Sequence, residues 1–571
     1  MERSRLAIRA GFGSGADGRS AMEETLAEAT SLNRRILDHL LHDAFPDDVR
    51  PEPEVDLVLD PEPDDARAGE VLARHGFRDI PAAQRILVSL GEEKVRFLSP
   101  RRCRHFLAAI APRLLTAVGH TADPDATLAN LDAIADSLGG KGVLWELFSF
   151  SPPALDLTVK LCSSSPFLAR LLVSNPGMID ELLDSLLLER LPTPEALDAS
   201  LRDLCRGAID LQPILHAFKA SQQLRVGVRD ILGRLSADET SAALTAIAES
   251  TVRSVVAHEE ARLVERLGEP MAGQGETVGV RAGPVVLAMG KFGGREMNYA
   301  SDLDVIFLYD HDGLSFHTRR TRRSTEATTN AHFFSELAQR TMRVFNTFTP
   351  QGRLYEMDSR LRPSGRSGPA AISLDDFEHY FAEAGPAAVW ERQALVKARV
   401  IIGSKPASDR VRRIINGATY GRQWSPSEIR AIHEMRYRME EGAKPTNLKR
   451  GPGGVVDIEF IAQALQLVHG GVETRLRTTE THVALAALHD AGHLTDAQFD
   501  ALTRSYRTLR LIDGRLRLLD AAARHDFPSD AAEQRKLAHL LGYGDAAALA
   551  ADVQTITSRT RREFEAVFRD L

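Results

Sequence analysis

Residues 285–310 constrain this chain more than any other stretch. They read as a short apolar run, Val285-Val286-Leu287-Ala288, then a turn carrying Gly290, Gly293 and Gly294. A second apolar run follows, Asp302-Leu303-Asp304-Val305-Ile306-Phe307-Leu308, and it opens with two aspartates. Successive side chains of a strand point to opposite faces, so Asp302 and Asp304 share one face while Leu303 and Val305 turn into a core. Two neighbouring carboxylates repel each other unless a cation lies between them. Mg²⁺ suits such a pair, because it takes hard oxygen ligands and completes its shell with water and substrate phosphates. The glycines ahead of the second run leave backbone N–H groups open to a phosphate. Spacing and chemistry together predict metal-dependent nucleotidyl transfer.

A third carboxylate joins the pair if residues 353–363 form a further strand, which sets Asp358 beside Asp302 and Asp304. Such a cluster around metal ions clamps the attacking and leaving oxygens of an in-line phosphoryl displacement. One of its members can also take the proton of an incoming hydroxyl. Arg360 and Arg362 add positive charge suited to a triphosphate. Residues 390–400 read as a helix bearing Lys397 and Arg399. The candidate catalytic and metal-binding set is therefore Asp302, Asp304 and Asp358. The candidate triphosphate-binding set is Lys291, Gly293, Gly294, Ser301, Arg360, Arg362 and Lys397.

Away from these motifs the chain reads as helical. Residues 1–65 hold one amphipathic helix and an acidic, proline-rich stretch (residues 51–65) that reads as an extended linker. Residues 66–210 form a helical domain, 211–403 the catalytic domain and 404–571 a helical bundle. Lys219, Arg225 and Arg229 lie on a helical stretch that reads either as solvated surface or as facing the site. Arg319, Arg320, Arg322 and Arg323 crowd a polar loop. A glycine-rich loop at 447–454 runs into a helix whose first turn carries Asp457 and Glu459. Those two point about 200° apart on a helix, so they cannot share an ion; favourable interaction with the helix dipole is their simplest role. The expected fold class is α+β, with a nucleotidyltransferase-type mixed β-sheet embedded in mostly helical domains.

Composition narrows the partners. The 571 residues carry a net charge of −8 and only 6% aromatic side chains, which argues against nucleic acid as the main partner. Cys103, Cys162 and Cys205 are widely spaced and form no zinc or disulfide pattern, which fits a reducing cytoplasm. No apolar run approaches a membrane span, and the first residues lack a signal-peptide core.

Four ordered blocks resemble the glutamine synthetase adenylyltransferase family: Gly290-Lys291-Phe292-Gly293-Gly294-Arg295-Glu296 with Ser301-Asp302-Leu303-Asp304; residues 354–365, Leu-Tyr-Glu-Met-Asp-Ser-Arg-Leu-Arg-Pro-Ser-Gly; residues 390–399, Trp-Glu-Arg-Gln-Ala-Leu-Val-Lys-Ala-Arg; and residues 453–460, Gly-Gly-Val-Val-Asp-Ile-Glu-Phe. Members of that family carry two nucleotidyltransferase domains in tandem, and this chain resembles the second, adenylylating copy. The resemblance implies transfer of AMP from ATP to a tyrosine hydroxyl of glutamine synthetase, with Mg²⁺ at the carboxylates, and control by a PII signalling protein. Three alternatives stay open: phosphorolytic removal of AMP from the synthetase, transfer to another acceptor, and a regulatory module with an inactive site.

Overall fold

Seven short strands form the only sheets among the residues that the computed structural model describes: 52–60, 65–95, 98–180, 190–273, 279–316, 328–519 and 525–571, with scattered positions between 7 and 26. They are β1 (Glu269–Ala272), β2 (Pro284–Ala288), β3 (Leu303–Tyr309), β4 (Gly313–Phe316), β5 (Met357–Asp358), β6 (Ala371–Ser373) and β7 (Arg399–Ile402). β1 and β4 make a separate antiparallel ribbon. In the main sheet β2 runs antiparallel to both β3 and β7. The opposite edge of β3 pairs in parallel with β5 at its start and with β6 at its end. The sheet is mixed, as expected.

β3 is apolar almost without interruption because both of its faces are covered. Val305, Phe307 and Tyr309 face helix Asn330–Asn346, where Tyr309 stacks on Phe334 at 5.0 Å. Ile306 and Leu308 face the other way, onto Leu374, Phe377, Val411 and Ile414. The period of two places Asp304 on the Ile306 face, at the end of the sheet where that cover stops.

The N-terminal helices follow from their start signals. Asp79, Ser99, Asp123 and Ser165 each accept a hydrogen bond from a backbone N–H three residues on, and proline occupies the first turn each time. One hydrophobic core extends from Leu57 to Ile401, across the expected boundary at 210/211, and takes in Leu518 from the C-terminal bundle. The C-terminal bundle has a core of its own, built on residues such as Leu465, Leu485, Leu509 and Phe564. Polar contacts join the two: Ser165 Oγ donates to the Leu518 carbonyl at 3.1 Å, and Lys536 pairs with Asp123 at 2.6 Å.

Three expectations need correction. The acidic, proline-rich stretch is not extended throughout: Pro53–Leu59 is a helix with Leu57 and Val58 buried. Its proline sits at the helix start, where no donor is lost, and its acids lie in the first turn, where the dipole favours them. The strand expected over 353–363 shrinks to Met357–Asp358. The helix expected over 390–400 stops at Ala394, turns tightly through Lys397, and continues as β7. Most of the helix expected within residues 1–65 and the arginine loop lie outside the described residues. Among the described residues no helix is long and apolar enough to cross a membrane.

Candidate active site

β2 ends at Ala288, and the chain then makes one helical turn, Gly290–Gly293, before re-entering the sheet as β3. The Met289 N–H donates to the Asp304 carbonyl at 2.8 Å, which closes the turn onto the strand. Gly290 has φ +52°, and a Cβ there would fall 2.7 Å from Asp304 Oδ2. The position needs glycine twice over, for its backbone and for the carboxylate beside it. Gly293 is needed for another reason: a Cβ would fall 1.8 Å from the Lys397 carbonyl oxygen. Between turn and strand, Ser301 Oγ accepts from the Asn298 N–H at 2.8 Å.

The three aspartates come together as the sequence suggests. β3 and β5 pair in the register Leu303↔Met357 and Asp304↔Asp358. Asp302 is exposed, while Asp304 and Asp358 are half-buried. Burial, reinforced by the neighbouring Asp302 and Asp358 carboxylates, pushes the Asp304 carboxyl up to about 7, against the opposing pull of Lys449 and Arg360. A carboxyl pushed this far by burial and like charges marks a place where positive charge is missing. Arg360 supplies part of it: its Nε donates to Asp358 Oδ2 at 2.5 Å, and its own N–H to Oδ1 at 2.9 Å. Among the described residues no three carboxylate, imidazole or thiol groups stand so placed that they could hold a metal ion together. An open pair of carboxylates with a third alongside fits Mg²⁺, which keeps several waters and leans on substrate phosphates.

Beside Asp302 and Ser301 opens a cavity of about 360 Å³. Its cations come from separate stretches of chain: Lys219, Lys291, Arg353, then Lys449 and Arg450, then Arg517, with His525 on the same wall. Lys449 and Arg450 make no ion pair with any described residue. Lys219 is half-buried over the Tyr355 ring, 4.0 Å from its centroid, and donates to the Leu354 carbonyl. Burial pushes both Lys219 and Lys291 down to about 8. A pocket so rich in cations suits a polyanion such as a chain of phosphates.

The other expected triphosphate ligands lie elsewhere. Arg362 braces its own loop, donating to the carbonyls of Ser359 and Pro369 at 2.8 and 2.9 Å. Lys397 is buried and pairs with Glu296, with Glu459 at 3.3 Å and with Thr481 Oγ1 at 2.9 Å. Burial disfavours its charge, but the two glutamates outweigh that and raise its pKa. Glu459 thus points at the catalytic sheet. Asp457 points away into the bundle, onto Arg436 and the Gly453 N–H, as the helical angle requires. Sequence reading missed Asp513 and His525 and left Lys219, Lys449 and Arg517 without a role. The signal nearest to them was the glycine-rich loop at 447–454, which does not reveal what it faces.

Comparison with known proteins adds a family. A family model described as glutamate-ammonia ligase adenylyltransferase matches residues 155–414, and one described as GlnD PII-uridylyltransferase matches residues 429–569. The chain is 35% identical over 486 residues to the bifunctional glutamine synthetase adenylyltransferase/adenylyl-removing enzyme of Thioalkalivibrio sulfidiphilus, covering 83% of this chain and 49% of that protein. It is 34% identical over 523 residues to the protein of the same description from Xanthobacter autotrophicus, covering 90% and 51%. The chain spans about half the length of these curated relatives.

Proposed function

The chain belongs to the glutamine synthetase adenylyltransferase family, and from that premise we propose that it transfers AMP from ATP to a tyrosine hydroxyl of glutamine synthetase, releasing pyrophosphate. The observation that carries this reading is the Asp304↔Asp358 register beside Asp302, next to the cationic cavity. Asp302 and Asp304 would hold Mg²⁺. The metal, when bound, would neutralise charge on the phosphates and orient the α-phosphorus for in-line attack.

The chain's own residues supply the rest. Asp358 accepts the tyrosine proton as the oxygen attacks, and Arg360 keeps that carboxylate oriented. Ser301, Lys449, Arg450 and Arg517 bind the β- and γ-phosphates in the cavity and receive the negative charge that leaves with pyrophosphate. The bundle that carries Lys449 and Arg517 also carries the match to the uridylyltransferase model, which supports a PII signalling protein as a regulatory partner.

Incubation with glutamine synthetase and ATP labelled at the α-phosphate tests this. Label should appear on a synthetase tyrosine, and the pair Asp302→Asn and Asp304→Asn should abolish it. The relatives' description also names adenylyl removal, which favours a second reading. Loss of AMP from adenylylated synthetase on addition of phosphate, without forward transfer, would replace the first reading by the second.

A further inference from the structure

His525 is held at the cationic cavity by two devices, and the reading above gives it no role. The first is the backbone. A short antiparallel pairing joins the His525 segment to the loop that carries Lys449 and Arg450: the Leu448 N–H donates to the His525 carbonyl at 2.8 Å, and the Phe527 N–H to the Thr446 carbonyl at 2.8 Å. Asn447 Nδ2 seals it by donating to Asp526 Oδ1 at 2.7 Å. His525, Lys449 and Arg450 are therefore one wall.

The second device is Asp513. Its side chain is 8% exposed, and cations surround it: Lys291 at 3.5 Å, Arg510 at 3.6 Å and Arg517 at 3.8 Å. Asn298 Nδ2 donates to it at 3.1 Å. Burial works against its charge, but Lys291, His525 and Arg510 outweigh that and hold it well below the usual carboxylate range. Its Oδ1 lies 3.0 Å from His525 Nδ1. A fixed carboxylate at Nδ1 assigns the proton there and leaves Nε2 for the cavity. Arg517 Nη2 stands 3.1 Å from Nε2 and 3.4 Å from Nδ1, so the guanidinium lies against the face of the ring, in line with neither nitrogen. The same carboxylate–imidazole arrangement orients the base in hydrolytic triads.

We propose that His525, oriented by Asp513, is a catalytic residue that donates the Nε2 proton to the departing pyrophosphate. This rests on the AMP-transfer reading. When a polyphosphate enters, Arg517 turns to the phosphate oxygens, and Nε2 meets the same anion. Burial, with Lys291 and Lys449, lowers the imidazole's proton affinity against the pull of Asp513. The incoming negative charge adds to the pull of Asp513 and opposes both burial and the two lysines, and the ring then takes a proton from solvent. As the tyrosine oxygen bonds to the α-phosphorus, the bond from that phosphorus to its β-bridging oxygen breaks. The bridging oxygen keeps the electron pair and receives the Nε2 proton, while the tyrosine proton goes to Asp358. The imidazole is reprotonated from solvent for the next turnover.

Two measurements test this on the whole chain. Calorimetry of pyrophosphate binding at pH 7, in buffers of different ionisation enthalpy, should show proton uptake by the wild type and less by His525→Gln; equal uptake would overturn the assignment. Single-turnover AMP transfer from ATP analogues bridged at β,γ by CH₂ or CF₂ varies the basicity of the leaving group. His525→Gln should lose about 100-fold with the more basic CH₂ leaving group and markedly less with CF₂. Asp513→Asn should follow the same pattern, because the ring loses its orientation. Equal losses with both analogues would make His525 merely structural and sink the proposal. A wild type that transfers no AMP at all would instead remove the reading on which the proposal rests.

Discussion

Asp304 and Asp358 are register partners across the parallel pair of β3 and β5. The Leu303 N–H donates to the Glu356 carbonyl at 2.8 Å and fixes that register through the backbone. Neighbouring strands lie about 4.8 Å apart, so the two carboxylates are held close without help from side-chain packing. Asp302 enters the same cluster by the strand's period of two. The geometry is therefore rigid, while the charge it gathers is unbalanced, as the raised pKa of Asp304 shows.

The glycine turn tests that rigidity. Gly290→Ala should leave the fold intact by circular dichroism but displace Asp304, whose Oδ2 lies 2.7 Å from the new methyl. AMP transfer should fall by about 100-fold, the usual cost of misplacing a reacting group by about an ångström. Gly293→Ala should behave differently. Its methyl would meet backbone, not a side chain, so thermal stability should drop and soluble yield with it. Unchanged activity in Gly290→Ala would show that Asp304 is free to move.

Lys397 anchors the sheet to the bundle through Glu296 and Glu459. Replacing it by methionine strands the buried Glu296 and the half-buried Glu459, which should cost about 3–5 kcal/mol in urea unfolding followed by fluorescence. The double variant Lys397→Met with Glu296→Gln should recover part of that loss. A single variant as stable as wild type would place Lys397 outside any paired network.

Pyrophosphate affinity should depend on pH with a definite sign. Burial pushes Lys219 and Lys291 down to about 8, so both are charged below that pH and neutral above it. Affinity should fall as pH rises from 7 to 9, by about tenfold or more for each lysine that gives up its charge. Lys291→Arg keeps its charge throughout and should flatten the profile. Calorimetry at the two pH values checks this, and an affinity that rises with pH refutes it.

Asn447 shapes the wall of the cavity. Its Oδ1 accepts from the N–H groups of Lys449 and Arg450 at 3.2 and 2.8 Å. Asn447→Ala should loosen both cations, raising KM for ATP by about tenfold while kcat changes less, as expected when ground-state binding weakens. Steady-state kinetics distinguishes this from a general loss of folded protein, which would lower the apparent kcat alone.

Much of the site was legible in the sequence because its logic is local. Period-two spacing set Asp302 and Asp304 on one face, the glycine spacing marked a tight turn, and the helical angle separated Asp457 from Glu459. Lys397 was the least legible. Its motif reads as a cationic helix, yet the chain turns there into β7, and the lysine answers two glutamates from other elements. Arg362 likewise turned inward to brace its own loop.

The sequence alone determined which residues carry charge, where the glycine turn and its two flanking strands form, and which carboxylates share a strand face, because backbone periodicity and local sterics act over a few residues. Only the tertiary structure decided that Asp358 stands opposite Asp304, and that Lys219, Lys449, Arg517 and His525 converge on one cavity. Those neighbours come from segments far apart in the chain, brought together by strand pairing and by packing of the bundle against the catalytic sheet. Charge acts through space, not along the chain, so the electrostatics of the site exist only once the fold has closed.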